Sequence, residues 1–291
     1  YTMQDNFVGE DFYTGFTFAT FNDPTHGRVN YVDQATAQAN NLTYAGPRSF
    51  IMRADATAVV DPTARGRDSV RLSSVNLYTT HVVVADIRHM PEGPGTWPAL
   101  WEKGDPWPTQ GEIDIIEGVN DVSPNLSSLH TTEGCTQPAT GRNMTGIVGN
   151  LDCNARAQSN TGCGVTYTSD ASYGPAFNAA GGGWYAVERT ETDIKLWFWS
   201  RNDWSVPLDV RLGSPYAHPE TWGPPTALFT SDECPLDEKF GPNYIIINLT
   251  FCGDWAGSVF PGGKAACNDL VNNNPALYED AFWDFARLSV Y

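Results

Sequence analysis

The feature that most constrains this chain is a two-residue hydrophobic rhythm that recurs along almost its whole length. It runs through residues 27–33, 48–55, 69–74, 80–88, 126–132, 183–190, 193–200, 244–251 and 282–291, with Gly, Pro, Asn and Asp in the gaps. A period of two puts alternate side chains on opposite faces of a strand, so each segment offers one face to a core. Many short strands bury those faces by stacking two sheets, which makes an all-β, two-sheet antiparallel jelly-roll sandwich the expected fold. No stretch of helical period is long enough for βαβ units, and short helical turns are expected only at 33–41 and 269–278. No linker or repeat interrupts the 291 residues, so a single domain spanning 1–291 is expected.

Charge then narrows the partners. The chain carries 34 acidic against 17 basic residues, a net charge of -17 that repels nucleic acid, anionic membranes and acidic polysaccharides. Neutral partners remain, and no apolar run approaches the ~20 residues that span a bilayer. Six cysteines show neither a C-x-x-C pair nor zinc spacing, so disulfides are expected, with Cys252 to Cys267 the one pairing singled out. Four glycosylation sequons begin at Asn41, Asn125, Asn143 and Asn248, and Asn41 is the site expected to be occupied. Together with the missing initiator Met, these features lead us to expect a mature, secreted, extracellular chain.

The chemistry concentrates in Gly111-Glu112-Ile113-Asp114-Ile115-Ile116-Glu117-Gly118. On a helix Glu112 and Glu117 would lie about 140° apart, whereas a strand puts Glu112 and Asp114 on one face and Ile113 and Ile115 on the other. Strict alternation would then send Glu117 into the apolar layer, where an unpaired carboxylate costs on the order of several kcal/mol. A β-bulge at Ile115-Ile116 absorbs one residue and returns Glu117 to the acidic face, and bulges are frequent beside active sites.

Three carboxylates on one face repel one another, and the segment holds no Lys or Arg to offset them. A solvated acidic face tolerates this without using it. A calcium site would need loop carbonyls that a strand does not offer. Acid-base chemistry does use it, because neighbouring like charge keeps one carboxyl protonated near neutrality. Two carboxylates ~5 to 5.5 Å apart across a glycosidic bond support double displacement with retention of configuration, and Asp114 between them can hold one in place. The residues alone leave open which glutamate attacks. There is no G-x-S-x-G elbow, H-E-x-x-H helix or Walker loop, and no metal or cofactor is expected.

The Glu-x-Asp-x-x-Glu strand, preceded by Thr96-Trp97-Pro98-Ala99-Leu100-Trp101, resembles glycoside hydrolase family 16, in particular its fungal, basidiomycete-type endo-β-1,3-glucanases (laminarinases). Ser69-Val70-Arg71-Leu72, Trp184-Tyr185-Ala186-Val187-Glu188-Arg189, Ile246-Ile247-Asn248-Leu249 with Asp254-Trp255, and the ending Asp284-Phe285-Ala286-Arg287-Leu288-Ser289-Val290-Tyr291 are similar to further strands of that family. The resemblance implies a concanavalin A-like sandwich with a substrate cleft on its concave face. It implies Glu112 as nucleophile, Glu117 as general acid/base and Asp114 as the assisting residue. The extra residue before Glu117 resembles the laminarinase pattern rather than the shorter Glu-x-Asp-x-Glu of lichenase-type relatives. Cleavage of internal β-1,3 bonds in a neutral β-glucan is thus implied, with tolerance of mixed β-1,3/1,4 chains.

Aromatic faces cover the apolar faces of pyranose rings, and motif matching points to Trp101, Trp107 and Trp255 as platforms, with Arg71, His130 and Asn248 as hydrogen-bonding partners. Trp97, Trp197 and Trp199 stay open between core and cleft. Asn248 heads a sequon, yet a cleft strand has no room for a glycan, so it is expected unmodified. Many relatives hold a calcium near the closing strand, where Asp284 would serve, but no N-terminal partner is recognisable. A monomer is expected. Two rivals remain, a lectin-like binding module and a glucan transglycosylase using the same covalent intermediate.

Overall fold

The computed structural model describes all residues, 1–291. Period-two patterning has produced two large antiparallel sheets. The first orders Ala227–Thr230, Asp193–Ser200, Gly183–Arg189, His81–His89, Phe282–Val290, Ser49–Arg53 and Thr43–Gly46, with Asp5–Phe7 also paired to Phe282–Val290. The second orders Ile147–Val148, Cys163–Thr166, Leu126–His130, Glu112–Glu117, Thr96–Lys103, Tyr244–Phe251, Arg71–Ser74 and Phe16–Phe18. Val29–Tyr31 and Arg67–Ser69 form a separate parallel pair.

Alternation sorts the side chains. Val83, Ala85 and Ile87 of the first sheet meet Leu100, Ile113, Leu129, Ile245 and Ile247 of the second in the main core. Val82 and Val84 point the other way, into a second cluster with Val206, Val210, Ala217 and Trp222. Both faces of His81–His89 are therefore covered, which is why its sequence reads as an unbroken apolar run. Trp197 and Trp199 also pack in that second cluster, so these two tryptophans are core residues.

The acidic strand lies mid-sheet between Thr96–Lys103 and Leu126–His130. Thr96–Lys103 escaped the rhythm because Pro98 sits inside it, and proline usually marks an edge. Here Pro98 pairs with Leu249 on one side, while on the other the acidic strand ends opposite Ala99.

The turn expected at 33–41 is the helix Gln34–Ala39, capped by Asp33, whose carboxylate accepts the Thr36 N–H at 2.7 Å. The one expected at 269–278 starts earlier, as Gly263–Asn273 followed by the 3-10 turn Pro275–Tyr278. Four further helices, Asp11–Gly15, Gly174–Ala179, Leu208–Leu212 and Leu236–Lys239, are too short for a 3.6 period to show. All six cysteines are paired: Cys252 with Cys267 as expected, Cys135 with Cys234, and Cys153 with Cys163.

Asp284, the residue that the resemblance would give to a calcium ion, already has a cation. Arg88 Nη1 donates to its two carboxylate oxygens at 2.9 and 3.1 Å and Ser49 Oγ to one at 2.6 Å. Calcium seeks six to eight oxygen ligands, and a guanidinium lodged against the carboxylate does not fit that donor set.

Candidate active site

The bulge forms where the charge pattern demanded it. Asp114 opposes Trp101 and Ser128, Ile116 opposes Leu100, and Glu117 opposes Ala99 and Leu126, leaving Ile115 as the extra residue. Ile113, Ile115 and Ile116 are all buried in the main core. A bulge interrupts the ladder and strands backbone groups. Two buried neighbours take them up: the Ile115 carbonyl accepts from Asn125 Nδ2 and Ser127 Oγ, both at 2.9 Å, and the Glu117 N–H donates to Asn125 Oδ1 at 3.0 Å.

Each carboxylate then has its own holder. Trp107 Nε1 donates to Glu112 at 2.5 Å and Trp97 Nε1 to Glu117 at 2.9 Å. Buried Asp114 accepts Ser128 Oγ at 2.8 Å and lies 3.2 Å from His130 Nε2. The other imidazole nitrogen, Nδ1, meets Asn160 Oδ1 at 2.9 Å. Burial, and after it the charge of Asp114, raises both glutamic acids above their ordinary 4.5, Glu117 further than Glu112. Burial works against a charged His130, but its bond to Asp114 and the charges of Glu112, Asp114 and Glu117 outweigh it and raise the imidazole to about 10. Glu112, Asp114 and His130 bring ligand-type atoms within 4.8 Å of one another. Both ring nitrogens are already engaged, so His130 has no free lone pair for a metal.

The sequence-derived binding residues converge on the same face. Arg71 lies 4.9 Å from the Trp101 ring and 5.2 Å from that of Phe21, between the two. Trp101 Nε1 donates to Asn248 Oδ1 at 2.7 Å, and Asn248 Nδ2 to the Tyr31 hydroxyl at 3.4 Å. Trp255 stands edge-on to Trp97, 5.7 Å away at 87°.

Three neighbours were not assigned to the site from the sequence, Trp97 because it stayed open between core and cleft. Trp97 shares strand parity with Trp101, which was signal enough to place it on the acidic face. Exposed Phe21 and loop residue Asn160 carry no such signal.

The whole of residues 16–291 matches the model of the XgeA-like catalytic GH16 domain. The chain belongs to glycoside hydrolase family 16. It is 40% identical over 302 residues to an endo-1,3(4)-beta-glucanase of Arthroderma benhamiae, covering 100% of this chain and 65% of that protein. Among solved structures this family-16 chain is similar to laminarinase 16A of Phanerochaete chrysosporium, seen with beta-glucans in its donor and acceptor sites. The TM-score is 0.97 at 52% identity, covering 100% of this chain and 99% of that one. An elongating family-16 beta-1,3-glucosyltransferase matches with TM-score 0.91 at 37% identity, covering 100% and 99%. The two-sheet jelly roll expected from the rhythm is thus the fold, and the chain is a glycoside hydrolase.

Proposed function

We propose that residues 1–291 act as one catalytic domain that hydrolyses internal β-1,3-glucosidic bonds of laminarin-type glucans with retention, and that also accepts mixed β-1,3/1,4 chains. The observation that carries this reading is the bulged strand. It presents Glu112 and Glu117 on one face with a buried carboxylate between them, in a family-16 chain 52% identical to a laminarinase.

In the first step a Glu112 carboxylate oxygen bonds to the anomeric carbon as the bond to the glycosidic oxygen breaks. Glu117 gives its proton to that departing oxygen. In the second step Glu117 takes a proton from water, the water oxygen bonds to the same carbon, and the bond to Glu112 breaks. Two inversions leave the configuration unchanged. The order suits the electrostatics, since Glu117 is raised further and holds a proton more readily. Asp114, hydrogen-bonded to Ser128 and His130, fixes the charge between the two. Trp101, Trp107 and Trp255 serve as sugar platforms, with Arg71, His130 and Asn248 as polar partners.

The chain works as a secreted monomer on a neutral glucan, with Asn41 carrying a glycan. Three disulfides support an oxidising compartment, and no helix is long and apolar enough to cross a membrane.

The test compares the protein with its Glu112→Gln form on laminarin, lichenan and cellulose, following reducing ends and product length. Release from laminarin and lichenan by the unmutated protein alone supports the reading. Binding to laminarin without release makes it a lectin-like module. Products longer than the substrate favour transfer, the reading that the glucosyltransferase neighbour recommends as second.

A further inference from the structure

We propose that Trp97 is the positioning residue of the general acid: its indole N–H occupies Oε1 of Glu117 and so keeps the transferable proton on Oε2. The inference deepens the hydrolase reading and rests on it.

The placement of the ring follows from its strand. Trp97 precedes Pro98, whose ring confines it to extended backbone. Ala99 opposes Glu117 in the ladder, so Trp97, two residues along, lies on the same face and diagonal to the glutamic acid. On its other side Trp97 pairs with Thr250, and the Trp255 ring stands at 87° to its own, 5.7 Å away. The half-buried indole reaches Glu117 Oε1 at 2.9 Å. That is the only hydrogen bond the protein makes to this carboxyl group; Oε2 has no partner and remains accessible.

An indole N–H only donates, so Oε1 accepts whether Glu117 is an acid or a carboxylate. The carbonyl oxygen of a carboxylic acid is the better acceptor, which places the proton on Oε2. As the Oε2–H bond breaks and the proton joins the departing glycosidic oxygen, the electron pair stays on the carboxylate and charge grows on Oε1 as well. The N–H bond to Oε1 strengthens with that charge, so it favours the transition state over the resting acid. In the second step Oε2 takes the proton of the attacking water.

The surrounding groups set the acidity of Glu117 without choosing its oxygen. Burial opposes ionisation most, followed by Asp114, with Glu112 adding to it; His130 from the next strand and the Trp97 N–H favour it. Tyr173, packed against Gly118, is close enough to feel the charge.

The test replaces Trp97 in the intact protein by 3-benzothienylalanine, which keeps the bicyclic shape but carries sulfur in place of the N–H. On laminarin kcat/KM should fall about ten- to a hundredfold with KM within about twofold. On an aryl β-laminaribioside with a good leaving group it should stay within about threefold of the unmutated value. Trp97→Phe should show the same split between substrates. The basic limb of the laminarin profile should rise by about half to one pH unit, because a donor to the carboxylate is lost. Loosened packing alone would admit water and lower that limb, so the sign separates positioning from a structural role.

Carbon-13 titration of the Glu117 carboxyl group needs no turnover and should show the same upward shift in the benzothienyl protein. A midpoint that stays or falls overturns the proposal, as does an equal loss on both substrates. So does a raised KM at constant kcat, which would make Trp97 a sugar platform. Failure of the hydrolase reading shows separately, as no release from laminarin by the unmutated protein.

Discussion

Asn125 clamps Glu117 through the backbone: its Oδ1 accepts the Glu117 N–H at 3.0 Å while its Nδ2 holds the Ile115 carbonyl at 2.9 Å. The residue that makes the bulge chemically useful therefore depends on an amide from the next strand's approach. Asn125→Ala should deprive the Glu117 N–H of its side-chain acceptor and leave the Ile115 carbonyl to Ser127 alone. We expect a loss of about 1 to 3 kcal/mol in urea unfolding, and a fall in kcat beyond what the lost stability explains. Asn125→Asp, which keeps the acceptor for Glu117 but loses the donor to Ile115, should fall between.

The same clamp bears on modification. Asn125 is fully buried and Asn248 is 5% exposed, each held by hydrogen bonds, whereas Asn41 and Asn143 are exposed. Enzymatic deglycosylation in heavy-oxygen water followed by peptide mass mapping should therefore mark Asn41, with Asn143 the other sequon open to modification. Label at Asn125 or Asn248 would contradict the structure.

Much of this site was legible in the sequence, and the reason is electrostatic. A carboxylate cannot share a face with Ile113 and Ile115, so the position of Glu117 in the sequence is enough to demand the bulge. Asn125 and Ser127 were not legible, because a side chain that repairs a distant backbone leaves no periodic trace. Trp97 was left undecided because Pro98 hid the strand that gives it the same parity as Trp101. The sheets followed from alternation, whereas the one-turn helices are shorter than the period that would reveal them. Asn160 meets His130 across 30 residues of chain, through a loop whose path no local pattern encodes.

Stability should show the cost of holding these acids. Glu112 and Glu117 are raised in the folded chain, so the fold binds their protons more tightly than the unfolded chain does. That contribution is fully present below the ordinary value of 4.5 and is lost as pH rises through the raised values. Above them the ionised pair weighs against folding. Glu112→Gln and Glu117→Gln should each raise Tm at pH 8 by roughly 2 to 4 °C, with little change at pH 4, by scanning calorimetry. A lowered Tm at pH 8 would contradict the sign.

The division of labour between the glutamates predicts unequal damage. Glu117→Ala should lose most activity on laminarin, where the leaving oxygen needs a proton, and keep far more on an aryl β-glucoside of laminaribiose with a good leaving group. Added azide should restore turnover and yield a β-glycosyl azide. Glu112→Ala should be inactive on both substrates, and azide rescue should give the α-glycosyl azide.

The most direct measurement is to trap the covalent intermediate. Incubating the protein with a 2-deoxy-2-fluoro-β-laminaribiosyl fluoride slows the second step, and fragmentation of the peptide that holds residues 112–117 locates the bond. The account predicts one laminaribiosyl group per chain, attached to Glu112. Attachment to Glu117, or turnover of laminarin whose first product is the α-anomer, would contradict it.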